Sequence, residues 1–308
     1  MGVYTKVPEP ISVICLPVKD DKSIYAIHYK SNSGKYPLLR SFESRRAILY
    51  SHGNAIDLGL CIDAIQFLGE KLDSDIYFYD YEGYGCNQGR ACAKYLPRDL
   101  RALYDYVRKS FDGENIYFYG ESIGSVPSCY VAHQLYEEHI EKPLCGVILH
   151  ASLYSGSSFS CGCLIRKSDP YNNAKMIKNI ECPIFHIHGE EDEIIPFKLG
   201  KKLYKMSKSP FEPWWVKNAG HSDIVVLYPE EYIAKLLKFF AFCEGEAAQE
   251  GAEEPVKEDE LKEPMKETTE EEPAKEATEE EPAKEGELKE QEQPHGSVAN
   301  ESSSTEQK

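Results

Sequence analysis

The sequence predicts an α/β architecture: a mostly parallel sheet of about eight strands, with helices packed on both faces. Three observations predict it. Short apolar runs rich in Ile, Val, Tyr and Phe alternate with longer amphipathic segments over the first 243 residues. Most of these runs are continuous rather than alternating, which is how a strand buried on both faces reads. The first two runs follow one another without a helical segment between them, so they predict an antiparallel hairpin at one sheet edge.

Taken in order, the strands are predicted at 11–17, 24–29, 47–50, 76–80, 116–119, 146–150, 184–188 and 213–217, each bounded by Gly, Pro or charged residues. Helices are predicted at 56–71, 96–111, 125–138, 197–206 and 231–242. Pro97 falls in the first turn of the second helix, a position that tolerates proline because its missing N–H has no helical partner. The stretch 11–18 reads as a strand and not as a secretory leader, since only Lys6 precedes it and Pro10 abuts it. No run of 18 apolar residues occurs, so no membrane span is predicted.

Charge separates the chain into two parts. The whole carries 35 Lys and Arg against 52 Asp and Glu, a net of −17. Residues 244–308 hold 23 acids and 7 bases, a net of −16, which leaves −1 for residues 1–243. That tail has no aromatic residue and contains the nonapeptides KETTEEEPA (266–274) and KEATEEEPA (275–283). With little to bury and a proline every nine residues, it is expected to be disordered, a solvating tail whose partner, if any, is unknown. The globular part is thus 1–243. Neither part has the basic footprint of a nucleic-acid binder.

Ten cysteines occur, with no CxxC pair, so neither a disulfide scaffold nor a zinc site is expected, and a reduced cytoplasmic location is the default. Gly2 does not fit the acylation pattern, because Lys6 stands where Ser or Thr is needed. Cys161 and Cys163, in a Ser/Gly-rich stretch followed by Arg166 and Lys167, read as inert thiols ahead of acylation sites. Lys198, Lys201, Lys202, Lys205 and Lys208 fall near one helical face. A solvated face is the bland reading, and a peripheral contact with anionic lipid is the sharp one.

The chemistry lies at three predicted strand ends. Gly120, Ser122 and Gly124 form a G-x-S-x-G where the strand 116–119 turns into the next helix. A nucleophilic serine needs that context: a sharp turn lifts it clear of the sheet, and small residues on either side let strand and helix pass closely. A serine also needs a base, and the base an orienting acid. Asp192, after the strand 184–188, and His221, after the strand 213–217, supply them in the chain order that this architecture expects. Glu190, Glu191 and Glu193 are the competing acids. Backbone N–H groups of Ile123 and Asn54 are the expected oxyanion donors, with Ala55 the alternative to Asn54 and with His52 and Gly53 shaping the second turn. His150, His186 and His188 read as sheet residues. No metal or organic cofactor is required.

SHGNAIDLG (51–59), YDYEGYG (79–85), YGESIGSVP (119–127), HGEEDEIIPF (188–197) and AGHSDI (219–224) run in this order. Together they resemble the α/β-hydrolase superfamily, and more narrowly the α/β-hydrolase domain-containing protein 17 family of protein depalmitoylases. The resemblance implies an α/β-hydrolase fold. It also implies thioesterase chemistry on S-palmitoyl cysteine of membrane-bound proteins, with Ser122, Asp192 and His221 as nucleophile, acid and base. Members of that family carry an N-terminal cysteine cluster that anchors them, whereas the first cysteine here is Cys15. The segment 151–183 is short, so at most a small cap is expected. The competing readings are a carboxylesterase or lipase on small or lipid esters, a serine peptidase of the same fold, and a non-catalytic binding protein.

Overall fold

The computed structural model describes residues 9–31, 46–156 and 169–245. Within them the chain forms one eight-stranded sheet in the order β1-β2-β4-β3-β5-β6-β7-β8. The strands are β1 (Ile11–Pro17), β2 (Ser23–Tyr29), β3 (Arg46–Ser51), β4 (Ser74–Tyr79), β5 (Ile116–Glu121), β6 (Gly146–His150), β7 (Ile184–Gly189) and β8 (Trp214–Val216). β1 and β2 form the edge hairpin, with Ile11 opposite Tyr29 and Pro17 opposite Ser23. Asp20 and Asp21 take left-handed φ angles in its turn, a conformation Asp tolerates better than most residues. β2 also runs antiparallel to β4, and every pairing from β4 to β8 is parallel.

Successive residues of the central strands feed opposite faces of the sheet, as the pleat requires. Leu49, Phe118 and Leu149 pack on one side with α2 (Leu96–Val107) and α3 (Ser125–Glu137). Ile48, Tyr117 and Ile148 pack on the other with α1 (Ile62–Leu72) and α7 (Pro229–Cys243). Both faces are therefore covered. All the parallel strands end on the same side, and their C-terminal ends carry the loops that hold the candidate site.

The structure departs from the sequence reading in a few places. The helix expected at 56–71 is broken: the Asp57 side chain accepts the N–H groups of Gly59 and Leu60, capping a 3₁₀ turn (Leu58–Leu60), and α1 begins only at Ile62. The second helix stops at Val107, short of 111, and β8 keeps only three residues, beginning after Pro213. Three helices are additional or displaced. α4 (Asn173–Met176) and α6 (Ile224–Leu227) are single turns, too short to show a periodicity, and α7 starts on Pro229 rather than at 231. α5 (Phe197–Tyr204) presents Lys198, Lys201 and Lys202, while Lys208 lies beyond it and pairs with Glu181 at 2.6 Å.

Glu244, placed by charge in the tail, is instead held against the globular part. It caps α7, and its two carboxylate oxygens bind Arg46 Nε and Nη2. Arg46 is buried at the start of β3, also donates to Leu72 O at 3.3 Å and lies over the Phe240 ring. The tail from 246 onward, Gly2 and Lys6, and Cys161, Cys163, Arg166 and Lys167 lie outside the described residues, as does part of the segment expected to form any cap.

Candidate active site

Ser122 stands at the top of β5, on a one-turn 3₁₀ segment that leads into α3. Its φ is 52°, a left-handed conformation that costs a non-glycine residue about 1–3 kcal/mol. The surroundings enforce it. A Cβ on Gly124 would lie 1.9 Å from Ser51 O, and one on Gly120 would lie 2.7 Å from Gly124 O. Only glycine at both positions lets β3, β5 and α3 converge beneath the serine. Ser125 Oγ then donates to Ser122 O at 2.6 Å and accepts from Leu153 N at 3.1 Å and Asn173 Nδ2 at 2.9 Å.

Three residues 99 positions apart at the extremes meet in one line. Ser122 Oγ is 2.9 Å from His221 Nε2, and His221 Nδ1 is 2.9 Å from Asp192 Oδ2. With the ring proton on Nδ1 donated to the carboxylate, Nε2 is free to accept from the serine hydroxyl. Asp192 Oδ1 is itself fixed by the N–H groups of Ile194 at 2.9 Å and Ile195 at 2.7 Å. Of the competing acids, Glu193 reaches only the backbone N–H of His221, at 3.3 Å.

The electrostatics follow from this geometry. Burial acts to raise the Asp192 pKa, but hydrogen bonds from His188, His221 and the Ile195 N–H outweigh it and hold the carboxyl well below the ordinary range. Burial likewise acts to lower His221, and is outweighed by the hydrogen bond to Asp192 and by the charges of Asp192, Glu121 and Glu193. Its pKa is raised above 6.5.

The second turn approaches from β3. A Cβ on Gly53 would stand 3.9 Å from Ser122 Cβ, so the turn's backbone passes directly beside the serine. The Asn54 N–H bonds no described residue, while its side-chain oxygen accepts from Tyr84 Oη at 2.6 Å. The N–H of Ile123, at the start of the 3₁₀ segment, belongs to the group of donors a helical start leaves unpaired. His52 is fully buried under the turn: Nδ1–H donates to Gly53 O at 2.7 Å, its own carbonyl accepts from Tyr81 Oη at 2.7 Å, and Nε2 is 3.4 Å from Asp80 Oδ1. Among the described residues no group of three or more His, Cys, Asp and Glu is arranged to hold a metal ion.

Comparison with known proteins speaks to the family and the fold. The Phospholipase/Carboxylesterase family profile matches residues 109–222, the stretch from the end of α2 to just past His221. Human α/β-hydrolase domain-containing protein 17B is 38% identical over 200 residues, 64% of this chain and 66% of that protein. The Xenopus laevis 17B protein is 37% identical over 202 residues, 64% of this chain and 67% of its own length. The chain belongs to the α/β-hydrolase domain-containing protein 17 family. Another relative, the Caenorhabditis elegans α/β-hydrolase domain-containing protein aho-3, is 34% identical over 209 residues, 67% of this chain and 59% of that protein. The matched stretch is thus about two thirds of these relatives or less. A solved α/β hydrolase from Penicillium superposes with a TM-score of 0.60 at 14% identity over 76% of this chain and 98% of that one. An esterase from Pyrococcus furiosus does so with 0.57 at 16% over 75% and 90%. At such identities the likeness speaks for the fold alone. The fold is accordingly that of the α/β hydrolases.

Two residues of this family member join the site without a sequence signal that singled them out. His188, read as a sheet histidine, has Nε2 2.9 Å from Ile195 O and 3.2 Å from Asp192 Oδ2, so its N–H is a second donor beside the acid. A Cβ on Gly200 would lie 2.6 Å from its Nδ1, so α5 can approach the ring only through glycine. The pair was visible as His188 and Asp192 in HGEED, but nothing in a loop's sequence says which neighbours face each other. Ser125, the second, stands in the GxSxGS stretch, yet its clamp depends on Leu153 and Asn173 returning from a distant part of the chain. His150 and His186 remain sheet residues: His150 Nδ1 bonds Tyr119 Oη at 2.8 Å, and burial lowers the His186 pKa to about 3.

Proposed function

We propose that this protein is a serine hydrolase that cleaves acyl esters and thioesters through a covalent acyl-enzyme, with S-palmitoyl cysteine of proteins as its substrate. The observation that carries the reading is the unbroken Ser122–His221–Asp192 hydrogen-bond line on a strained, glycine-flanked turn. Ser122 Oγ attacks the acyl carbonyl while His221 Nε2 takes its proton. Asp192 holds the imidazole in the tautomer that exposes Nε2 and stabilises the imidazolium. The carbonyl oxygen, now negative, is received by the N–H groups of Asn54 and Ile123. Loss of one such donor costs about 2.7–4 kcal/mol of barrier. The imidazolium then protonates the leaving thiol or alcohol. Water, deprotonated by the neutral His221, attacks the acyl-enzyme and frees Ser122.

Exposed apolar residues on the segments that bear the site favour a long acyl chain. Leu60, Ile194, Val226 and Leu227 are exposed large aliphatic residues. They lie on the segments that follow β3, β7 and β8, which also bear Asn54, Asp192 and His221 respectively. Exposed apolar residues are ordinary singly, but here several lie on the segments that bear the site residues. The same exposed residues suit peripheral contact with a membrane that presents the acyl chain. No helix among the described residues is long and apolar enough to cross one. A second reading, a carboxylesterase acting on small or lipid oxygen esters, is favoured by the description of the matching family profile.

A fluorophosphonate probe tests the chemistry and graded substrates test the class. The full-length protein is expected to be labelled at Ser122, and Ser122→Ala to be unlabelled and inactive at unchanged melting temperature. Long-chain thioesters are expected to exceed short-chain ones in kcat/KM. A folded protein that takes no label sinks the serine-hydrolase reading. Turnover confined to short oxygen esters replaces the depalmitoylase reading with the second one.

A further inference from the structure

The residue immediately before the nucleophile is a carboxylate, and the mechanism above does not use it. Glu121 ends β5 and is half-buried. Its Oε2 accepts from Tyr50 Oη at 2.7 Å. The Tyr50 ring is itself wedged between Tyr119, with centroids 4.2 Å apart, and Phe78, at 5.0 Å, so the tether is stiff. The other oxygen, Oε1, bonds no described residue. It lies 4.0 Å from the point where a Cβ on Gly53 would stand, and that point is 3.9 Å from Ser122 Cβ. Oε1 and Ser122 Cβ therefore both lie close to the 53–54 turn, whose Asn54 N–H is the proposed oxyanion donor. No lysine or arginine among the described residues bonds it.

An unneutralised negative charge at that place opposes the oxyanion unless positive charge comes with the substrate. We propose that Glu121 is a specificity-determining residue: its carboxylate, fixed by Tyr50, admits acyl substrates whose leaving group carries positive charge near the scissile bond and rejects those carrying negative charge. The proposal rests on the acyl-transfer reading given above. For an acylated protein, the favoured partner is a cysteine flanked by lysine or arginine. At the short range the geometry allows, a charge in a partly desolvated site discriminates by about tenfold. The same charge acts on the base. Against the lowering effect of burial, Asp192 and then Glu121 and Glu193 raise His221.

The test uses the full-length protein and Glu121→Gln, which keeps an acceptor for Tyr50 and removes the charge. Glu121→Met replaces it if the first variant does not fold. Both are compared with wild type on two matched series. One is S-acyl-cysteine peptides with Lys, Gln or Glu on both sides of the cysteine. The other is small aryl esters bearing a quaternary ammonium or a sulfonate. Wild type is expected to prefer the cationic member of each series by about tenfold in kcat/KM. The variant is expected to show near-equal values, with the acid limb of its pH profile moved to lower pH. The acidic tail is the same in both proteins, so its own attraction for cations cancels in the comparison. An equal charge preference in variant and wild type overturns the proposal. If wild type refuses every acyl peptide yet hydrolyses the esters, the thioester reading fails while the ester pair still decides the role of Glu121.

Discussion

At the scale of single residues, the pH dependence of this site is set by two opposite shifts. Asp192 is held below the ordinary carboxyl range and His221 above 6.5. The base works only in its neutral form, so kcat/KM on a neutral ester is expected to rise with pH through a pKa above 6.5. It is expected to show no second inflection near pH ~4, because Asp192 stays ionised there. Asp192→Asn removes both the tautomer control and the charge that raises His221. It should cost about 10⁴ in kcat and move the remaining acid limb downward. A profile recorded from about pH 5 to about pH 9 reads both effects, and an unmoved limb in Asp192→Asn contradicts the assignment of cause. The three residues were legible in the sequence because each follows the C-terminal end of a strand, in an order specific to one architecture. His188 and Ser125 were not, because their partners are chosen by where loops fold back and not by spacing.

At the scale of elements, the strands were legible and the ends of helices were not, for a physical reason. A strand buried on both faces must be continuously apolar, and IYFY or GVILH between polar residues admits few other readings. A helix boundary depends on caps. The Asp57 cap diverted 58–60 into a 3₁₀ turn within an otherwise helical pattern, and Glu244 extended the last helix beyond the aromatic run. That last residue ties α7 to β3. The Arg46 side chain is 5% exposed and that of Glu244 16%. Breaking such a pair by removing one partner strands a buried charge, a cost of about 3–5 kcal/mol. Glu244→Ala is therefore expected to lower the melting temperature by several degrees, while Lys238→Ala, which removes a pair between two exposed side chains, leaves it unchanged. Differential scanning calorimetry of the two variants checks this. Equal melting temperatures would mean that the Arg46–Glu244 link contributes nothing. It also follows that a shortened chain ending at Cys243 is expected to melt lower than one ending at Gly245.

At the scale of the whole molecule, charge and chemistry are separately placed. The strand ends carry the site, and residues 244–308 carry −16 of the net −17. A soluble, uncharged ester senses only the first, so removal of residues 246–308 is expected to leave its kcat/KM within about twofold, because a substrate without charge has no direct Coulomb interaction with the acidic residues. An anionic bilayer senses both. The near-neutral remainder presents Lys198, Lys201 and Lys202 on α5, and basic residues near an anionic surface contribute about 1 kcal/mol each to binding. The full chain adds a large opposing charge. The shortened chain is therefore expected to sediment with phosphatidylserine vesicles more strongly than the full one. With phosphatidylcholine the two should not differ. The difference should shrink as salt approaches about 1 M, where the Debye length falls to about 3 Å. Equal sedimentation of the two chains at low salt would show that the acidic residues do not govern access to a membrane, and would leave their function to be sought in contacts with other proteins.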